Sequence, residues 1–215
     1  MSSSPLADLR QDYRRGVLDE STVDADPICQ FQAWLTDAIS AGLPEPNAMT
    51  LATADRTGRP YARVVLLKDC DASGFVFYTH YRSDKGRQLA ENPHAALVFA
   101  WLALERQVRI EGTVTQVAPA ESEAYFRSRP RESRIGALAS RQSQIVASRA
   151  ILDQRFEHLA AQYADDNIPL PEHWGGYRVR PERLEFWQGR QGRMHDRLRY
   201  VLLQEGGWRL ERLEP

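Results

Sequence analysis

Ala48-Met-Thr-Leu-Ala-Thr-Ala54, Tyr61-Ala-Arg-Val-Val-Leu-Leu-Lys68 and Phe75-Val-Phe-Tyr-Thr-His80 decide the fold class. The three runs are rich in Val, Leu, Phe and Tyr. Asp55-Arg-Thr-Gly58 and Asp71-Ala-Ser-Gly74 stand between them as turns, so the stretch reads as a meander of antiparallel strands. Residues 95–117 extend the pattern as one long strand, or as two with a bend near Leu104–Glu105. Gly176–Trp187, His195–Gln204 and Trp208–Leu213 add three more candidates.

Helical signals surround the strands. Asp26-Pro27 opens a helix with an N-cap and a proline at its first position, and Gly42 closes it. Ile28, Phe31, Leu35, Ala38 and Ile39 form its apolar stripe. Ser83–Glu91, Pro119–Arg127 and Ile145–Tyr163 also read as helices, the last with Ile145, Ile151, Leu152, Phe156 and Leu159 near one face. Residues 5–15 predict a short helix and 17–25 a polar linker. With no βαβ alternation, this is a mainly β protein with added helices, and a small antiparallel barrel is favoured over a doubly wound sheet. Neither GxGxxG nor GxxxxGK[ST] is present.

Composition excludes several classes of function. The chain has 215 residues, 42% of them hydrophobic, and a net charge of −1 from 28 basic and 29 acidic side chains. That balance gives no global grip on nucleic acid. The longest purely apolar run, Ala95 to Leu104, is far short of the roughly 20 residues a membrane helix needs. The N-terminus lacks a basic patch followed by an apolar core, so no secretory signal is expected. Cys29 and Cys70 stand alone, without metal-ligand spacing. We therefore expect no metal, no disulfide and a reducing, cytoplasmic setting.

The basic residues are unevenly typed. Lys68 and Lys85 are the two lysines; every other basic residue is arginine. Where a generic cation suffices the sequence has arginine, so each lysine marks a place that suits a compact ammonium. Lys85 falls in the first turn of a helix, just after Tyr78-Thr79, where backbone N–H groups attract anions. Arg63 and Lys68 bracket Val64–Leu67, and strict alternation would put them on opposite faces unless a bulge or strand end re-aims one. From Tyr125 to Arg149, Arg127, Arg129, Arg131, Arg134, Arg141 and Arg149 interleave with Ser128, Ser133, Ser140 and Ser143. Such a run suits a phosphate dianion, although taken alone it reads equally well as a solvated basic face. If residues 193–199 are extended, Arg193, His195, Arg197 and Arg199 share one side, which requires a compensating anion or electron-rich ligand. Gln107 interrupts an apolar strand and needs a partner in the protein or in a ligand.

The order of these motifs resembles the pyridoxamine 5′-phosphate oxidase family, also called pyridoxine 5′-phosphate oxidases. The resemblance rests on Arg63-Val-Val-Leu-Leu-Lys68, Phe77-Tyr-Thr79, Ser83-Asp-Lys85, Leu104-Glu-Arg-Gln107, Tyr125-Phe-x-Ser-Arg-Pro-Arg-x-Ser133 and Ser140-x-Gln-Ser143. Trp174-Gly-Gly176, Glu185-Phe-Trp-Gln-Gly189 and Arg193-x-His-Asp-Arg197 complete it. It spans nearly the whole chain, from about Arg10 to Pro215.

The resemblance implies an FMN-binding split β-barrel, Greek-key-like. It implies a mobile N-terminal segment (1–25), one domain (26–215) with C-terminal dimerisation strands, and a homodimer with FMN at the interface. FMN contacts carry over to Arg63, Lys68, Tyr78, Thr79, Lys85, Gln107, Gln142, Ser143, Trp187 and Arg197. Substrate phosphate contacts carry over to Lys68, Tyr125, Arg129 and Ser133. Arg193 and His195 would be the catalytic pair against the pyridine ring, with Arg10 and Tyr13 covering the substrate. The implied reaction oxidises pyridoxamine 5′-phosphate or pyridoxine 5′-phosphate with O₂, giving pyridoxal 5′-phosphate and H₂O₂, plus ammonia from the amine. Two departures stand out: Asp84 occupies a place that is often basic in the family, and Glu45 one where aspartate is familiar. The competing readings are a phenazine-type oxidase of the same fold, against which the phosphate residues argue, and a non-catalytic carrier of flavin or pyridoxal phosphate.

Overall fold

The computed structural model describes residues 12–215. Five α-helices accompany nine strands: α1 Pro27–Ser40, β1 Ala48–Ala54, β2 Pro60–Leu66, β3 Asp69–Asp71, β4 Gly74–His80, α2 Asp84–Glu91, β5 His94–Trp101 and β6 Arg106–Gln116 come first. They are followed by α3 Pro119–Ser128, α4 Arg131–Ala139, α5 Arg149–Gln162, β7 Trp174–Gln188, β8 Asp196–Leu202 and β9 Trp208–Arg212. The strands hydrogen-bond in the order β2-β1-β5-β6-β7-β4-β3, with β8 beside β7 and β9 beside β8. This is a mainly antiparallel β fold with added helices.

The opening meander is corrected by that order. β1 and β2 are neighbours, but β4 lies between β3 and β7. The reason is burial: Phe75, Val76 and Phe77 are all fully buried, so both faces of β4 are covered. β7 is long enough to pair twice. Phe75–His80 align with Val179–Trp174, and Arg183–Gln188 align with Val201–Asp196. Pro181, which has no N–H to donate, lies in the gap between the two registers.

The chain forms two compact units interleaved in sequence, so no single boundary in the sequence separates them. Among the described residues, one comprises 12–49, Leu97–Glu111 and Pro181–Pro215; the other, Thr50–Ala96 and Gly112–Arg180. The core of the first is built on α1. The Asp26 carboxylate accepts the Ile28 N–H at 2.8 Å, capping the helix as expected. Phe31 meets the Phe99 ring at 4.9 Å and Trp34 meets Phe186 edge-on at 5.2 Å. Trp34, absent from the predicted stripe, is buried, whereas Ile39 is exposed. Residues 12–15 are not helical; the rest of the predicted 5–15 helix lies outside the described residues.

The second unit carries β4 and a satellite core of Phe126, Ile135, Ile168 and Trp174 beneath α3, α4 and α5. α4 was not foreseen, because arginine and serine obscured its short apolar face. α5 begins at Arg149 rather than Ile145, has no fully buried residue, and leaves Ile145 outside it and wholly exposed. No helix among the described residues is long and apolar enough to cross a membrane.

Candidate active site

The second unit contains a cavity of about 690 Å³, within the usual range for a small-ligand pocket. Arg63 reaches it from β2. Lys68 reaches it from the link after β2 ends at Leu66, where its backbone N–H donates to the Val76 carbonyl at 2.8 Å. The strand end thus re-aims Lys68, and both cations line one cavity. Val64 also lines it and is largely exposed, so the Val64–Leu67 run is an edge and not a buried strand.

Lys85 enters from α2. Ser83 caps that helix by accepting the Gly86 N–H. A side chain at Gly86 would collide with the Tyr81 carbonyl, so glycine lets the helix start tightly against the end of β4. Lys85 Nζ donates to Thr79 Oγ1 at 3.2 Å and to Gln142 Oε1 at 3.0 Å. Burial, reinforced by nearby Arg63, lowers the lysine pKa, with Asp84 opposing. Asp84 itself is ion-paired to Arg87. Ser143 does not line the cavity; its Oγ accepts the Asp84 N–H at 3.1 Å.

Arg129 comes from the α3–α4 junction. Its guanidinium lies over the Trp174 ring at 4.8 Å, and its Nη1 is buried without a hydrogen-bond partner. Burial lowers its pKa too. Ser133, Tyr125 and Tyr78 line the same cavity. Tyr78 and Tyr125 stack at 3.9 Å, and burial pushes the Tyr78 hydroxyl up to about 12, so it remains a neutral donor.

The other arginines of the 125–149 run are engaged elsewhere or solvated. Arg131 donates to the carbonyls of Ala160 and Tyr163, capping the end of α5. Arg134 binds both oxygens of Asp166, Arg127 pairs with Glu123, and Arg149 with Asp153. The run as a whole is therefore not a phosphate cradle: of these arginines, Arg129 alone lines the cavity.

Arg63, Lys68, Lys85 and Arg129 thus face one space that no carboxylate lines. Such a concentration of positive charge, with one donor unsatisfied, calls for an anion. A phosphate monoester fits this donor set in charge and in hydrogen-bonding type. The chemistry also suits a flavin mononucleotide phosphate and a substrate phosphate.

A second cluster lies in the first unit. Trp187 and His195 approach at 4.6 Å, and Tyr13 meets each edge-on at 5.7 Å. His195 Nδ1 accepts the Arg190 N–H at 3.1 Å, which leaves Nε2 to carry the proton of the neutral ring. The expected extended run is corrected here. β8 starts at Asp196, and Arg193 has φ +63° in a short turn, so Arg193 and His195 precede the strand. Nor do Arg197 and Arg199 await a ligand to compensate them. Arg197 makes paired bonds to Glu185 at 2.9 and 3.1 Å, and Arg199 pairs with Glu211. Gln107 lies half-buried in β6 of this unit. Arg10 is outside the described residues.

Residues 35–163 match the family model described as pyridoxamine 5′-phosphate oxidase. The chain belongs to that family. Residues 174–215 match a pyridoxine 5′-phosphate oxidase C-terminal dimerisation region. The pyridoxine/pyridoxamine 5′-phosphate oxidase of Paraburkholderia phymatum is 58% identical over 212 residues, covering 99% of this chain and 100% of that protein. The one from Thermosynechococcus vestitus is 60% identical over 210 residues, covering 98% and 99%. Among solved structures, PhzG from Burkholderia lata in complex with tetrahydrophenazine-1-carboxylic acid has a TM-score of 0.87 at 31% identity, covering 93% of this chain and 98% of that one. A pyridoxamine 5′-phosphate oxidase-related, FMN-binding protein from Nostoc punctiforme has a TM-score of 0.68 at 16% identity, covering 86% and 97%, and shows the split-barrel fold. Family membership makes the chain an oxidase.

Three residues of the site were missed by sequence reasoning. Trp174 carries Arg129, while Thr53 and Gln88 hold Arg63. Trp174 stood within a quoted motif without a role. Gln88 left only the signal of a polar residue on the inner face of a short helix.

Proposed function

We propose that the chain is an FMN-dependent oxidase that converts pyridoxamine 5′-phosphate or pyridoxine 5′-phosphate to pyridoxal 5′-phosphate, with O₂ as electron acceptor, working as a homodimer in the cytoplasm. The observation that carries the reading is the cationic, carboxylate-free cavity with its unsatisfied Arg129 donor. Full-length similarity to relatives named for this activity supports it.

In this reading Arg63, Lys68, Tyr78, Thr79, Lys85 and Gln142 hold the cofactor, and Lys68, Tyr125, Arg129 and Ser133 anchor the substrate phosphate. When bound, FMN supplies a two-electron acceptor that O₂ reoxidises, with H₂O₂ as the by-product. Anchoring the phosphate fixes where the substrate's C4′ carbon sits, turning a chance encounter into a positioned one. Arg129 and Lys85 are half-buried and partly desolvated, so an anion that meets them has less water to strip. For Arg193 and His195 the proposal rests on the family resemblance: they orient the pyridine ring, and His195 presents Nε2–H as a donor. Gln107, Ser143, Trp187 and Arg197 retain proposed cofactor roles on the same ground, and Arg10 and Tyr13 a covering role.

A peroxide assay on the purified protein tests the activity. Pyridoxine 5′-phosphate should yield H₂O₂, and unphosphorylated pyridoxine far less. Arg193→Met and His195→Asn should lose turnover while keeping their flavin. Loss of flavin with unimpaired substrate binding would reverse those role assignments, and a phenazine precursor oxidised in place of the B6 phosphates would favour the phenazine-type reading.

A further inference from the structure

Arg63 is held by a buried polar pair that neither motif matching nor the proposed reaction assigns. Its Nη1 donates to Thr53 Oγ1 at 2.6 Å and to the Leu51 carbonyl at 3.2 Å, while its Nη2 donates to Gln88 Oε1 at 2.9 Å. Thr53 Oγ1 in turn donates to Gln88 Oε1 at 2.7 Å. Thr53 and Gln88 are 4% and 7% exposed, so these bonds form out of water and hold firmly.

The stereochemistry of the guanidinium decides what remains. It has five N–H donors in a fixed plane. Nη1 meets two acceptors and Nη2 one, which turns the Nη1 side of the plane into the protein and leaves the edge formed by Nε and the second Nη2 hydrogen. That edge offers two parallel donors, the arrangement that matches two oxygens of a phosphate. Gln88 and Lys85 are three residues apart on α2, hence on one face of the helix. One short helix therefore supplies the lysine and also the anchor that sets the arginine beside it.

We propose that Gln88, with Thr53, is a positioning residue: it locks Arg63 so that its Nε/Nη2 edge and the Lys85 ammonium present a preformed site for one phosphate. The amide suits this task better than a carboxylate. A glutamate would hold the arginine equally well but would neutralise the charge the phosphate needs. The proposal rests on the reading that Arg63 and Lys85 bind the FMN phosphate.

The test is FMN titration of the apoprotein, followed by flavin fluorescence quenching, for wild type, Gln88→Met, Thr53→Val, Arg63→Met and the double variant Arg63→Met/Gln88→Met. Gln88→Met should weaken FMN binding about tenfold, the scale of one hydrogen bond to a charged group. Riboflavin, which lacks the phosphate, should bind wild type and Gln88→Met alike. In the Arg63→Met background, Gln88→Met should cause no further loss. An added loss there, or an equal loss for riboflavin, would mean that Gln88 serves only the packing of α2 and would overturn the proposal. Wild-type affinity in a folded Gln88→Met variant would overturn it as well. Failure of the wild-type protein to bind FMN at all would instead reject the functional reading on which it rests.

Discussion

At the scale of the residue, the site is defined by what remains unpaired. Most arginines of this chain find a carboxylate or a carbonyl: Arg197 has Glu185, Arg199 has Glu211, and Arg212 has Glu20 and Asp196. Arg129 keeps a buried Nη1 without a partner. Residue type and spacing alone could not separate Arg129 from Arg131 and Arg134, which only the family resemblance did, because the groups that occupy those two lie about 30 residues away. The scarcity of lysine was a better guide: both lysines line the cavity. Arg129→Met should raise the KM for pyridoxine 5′-phosphate by about 10- to 100-fold, the value of a charge-assisted bond, with flavin content unchanged. Steady-state kinetics beside a flavin absorbance measurement checks this; an unaltered KM would remove Arg129 from the phosphate site.

At the scale of the element, the turn between β4 and α2 sets the position of Lys85. The His80 carbonyl accepts both the Ser83 N–H and its hydroxyl, and His80 Nδ1 accepts the Arg82 N–H at 3.0 Å. The His80 ring packs against His173 at 4.1 Å. Burial above all, and then His173, lowers the His80 pKa from 6.5 to about 4, so the turn is built on a neutral ring. The sign of the pH effect follows. As pH falls from 6.5 towards 4, the unfolded chain takes up this proton before the folded one, so stability declines across that window. His80→Asn, which keeps a short polar side chain, should flatten the decline of Tm between these pH values. Thermal melts along a pH series measure it, and an unchanged slope would show that the histidine is not the group responsible. The helix itself was legible from Ser83 and Asn92-Pro93, because caps are local signals. α4 was not, because its apolar side faces a satellite core assembled from Phe126, Ile168 and Trp174, distant in sequence.

At the scale of the whole molecule, strand positions along the sequence were read well and their neighbours poorly. β1 matches its predicted bounds, and the bend at Leu104–Glu105 appears as a helical turn ending in Glu105 at φ +55°. Alternation and turn residues reveal a strand wherever it lies, but the insertion of β4 between β3 and β7 depends on which strand must bury both faces. The same holds for the division into two units, which the chain enters and leaves repeatedly. The phosphate-type cavity lies wholly within one unit and the Tyr13–Trp187–His195 cluster wholly within the other. In the proposed function both serve one flavin oxidation. Anaerobic absorbance spectroscopy of the purified protein is the most direct trial of that assignment. The spectrum should carry the bands of oxidised flavin, lose them when pyridoxine 5′-phosphate is added without oxygen, and regain them on admission of air. A flavin spectrum that the phosphorylated substrate leaves unbleached would contradict it.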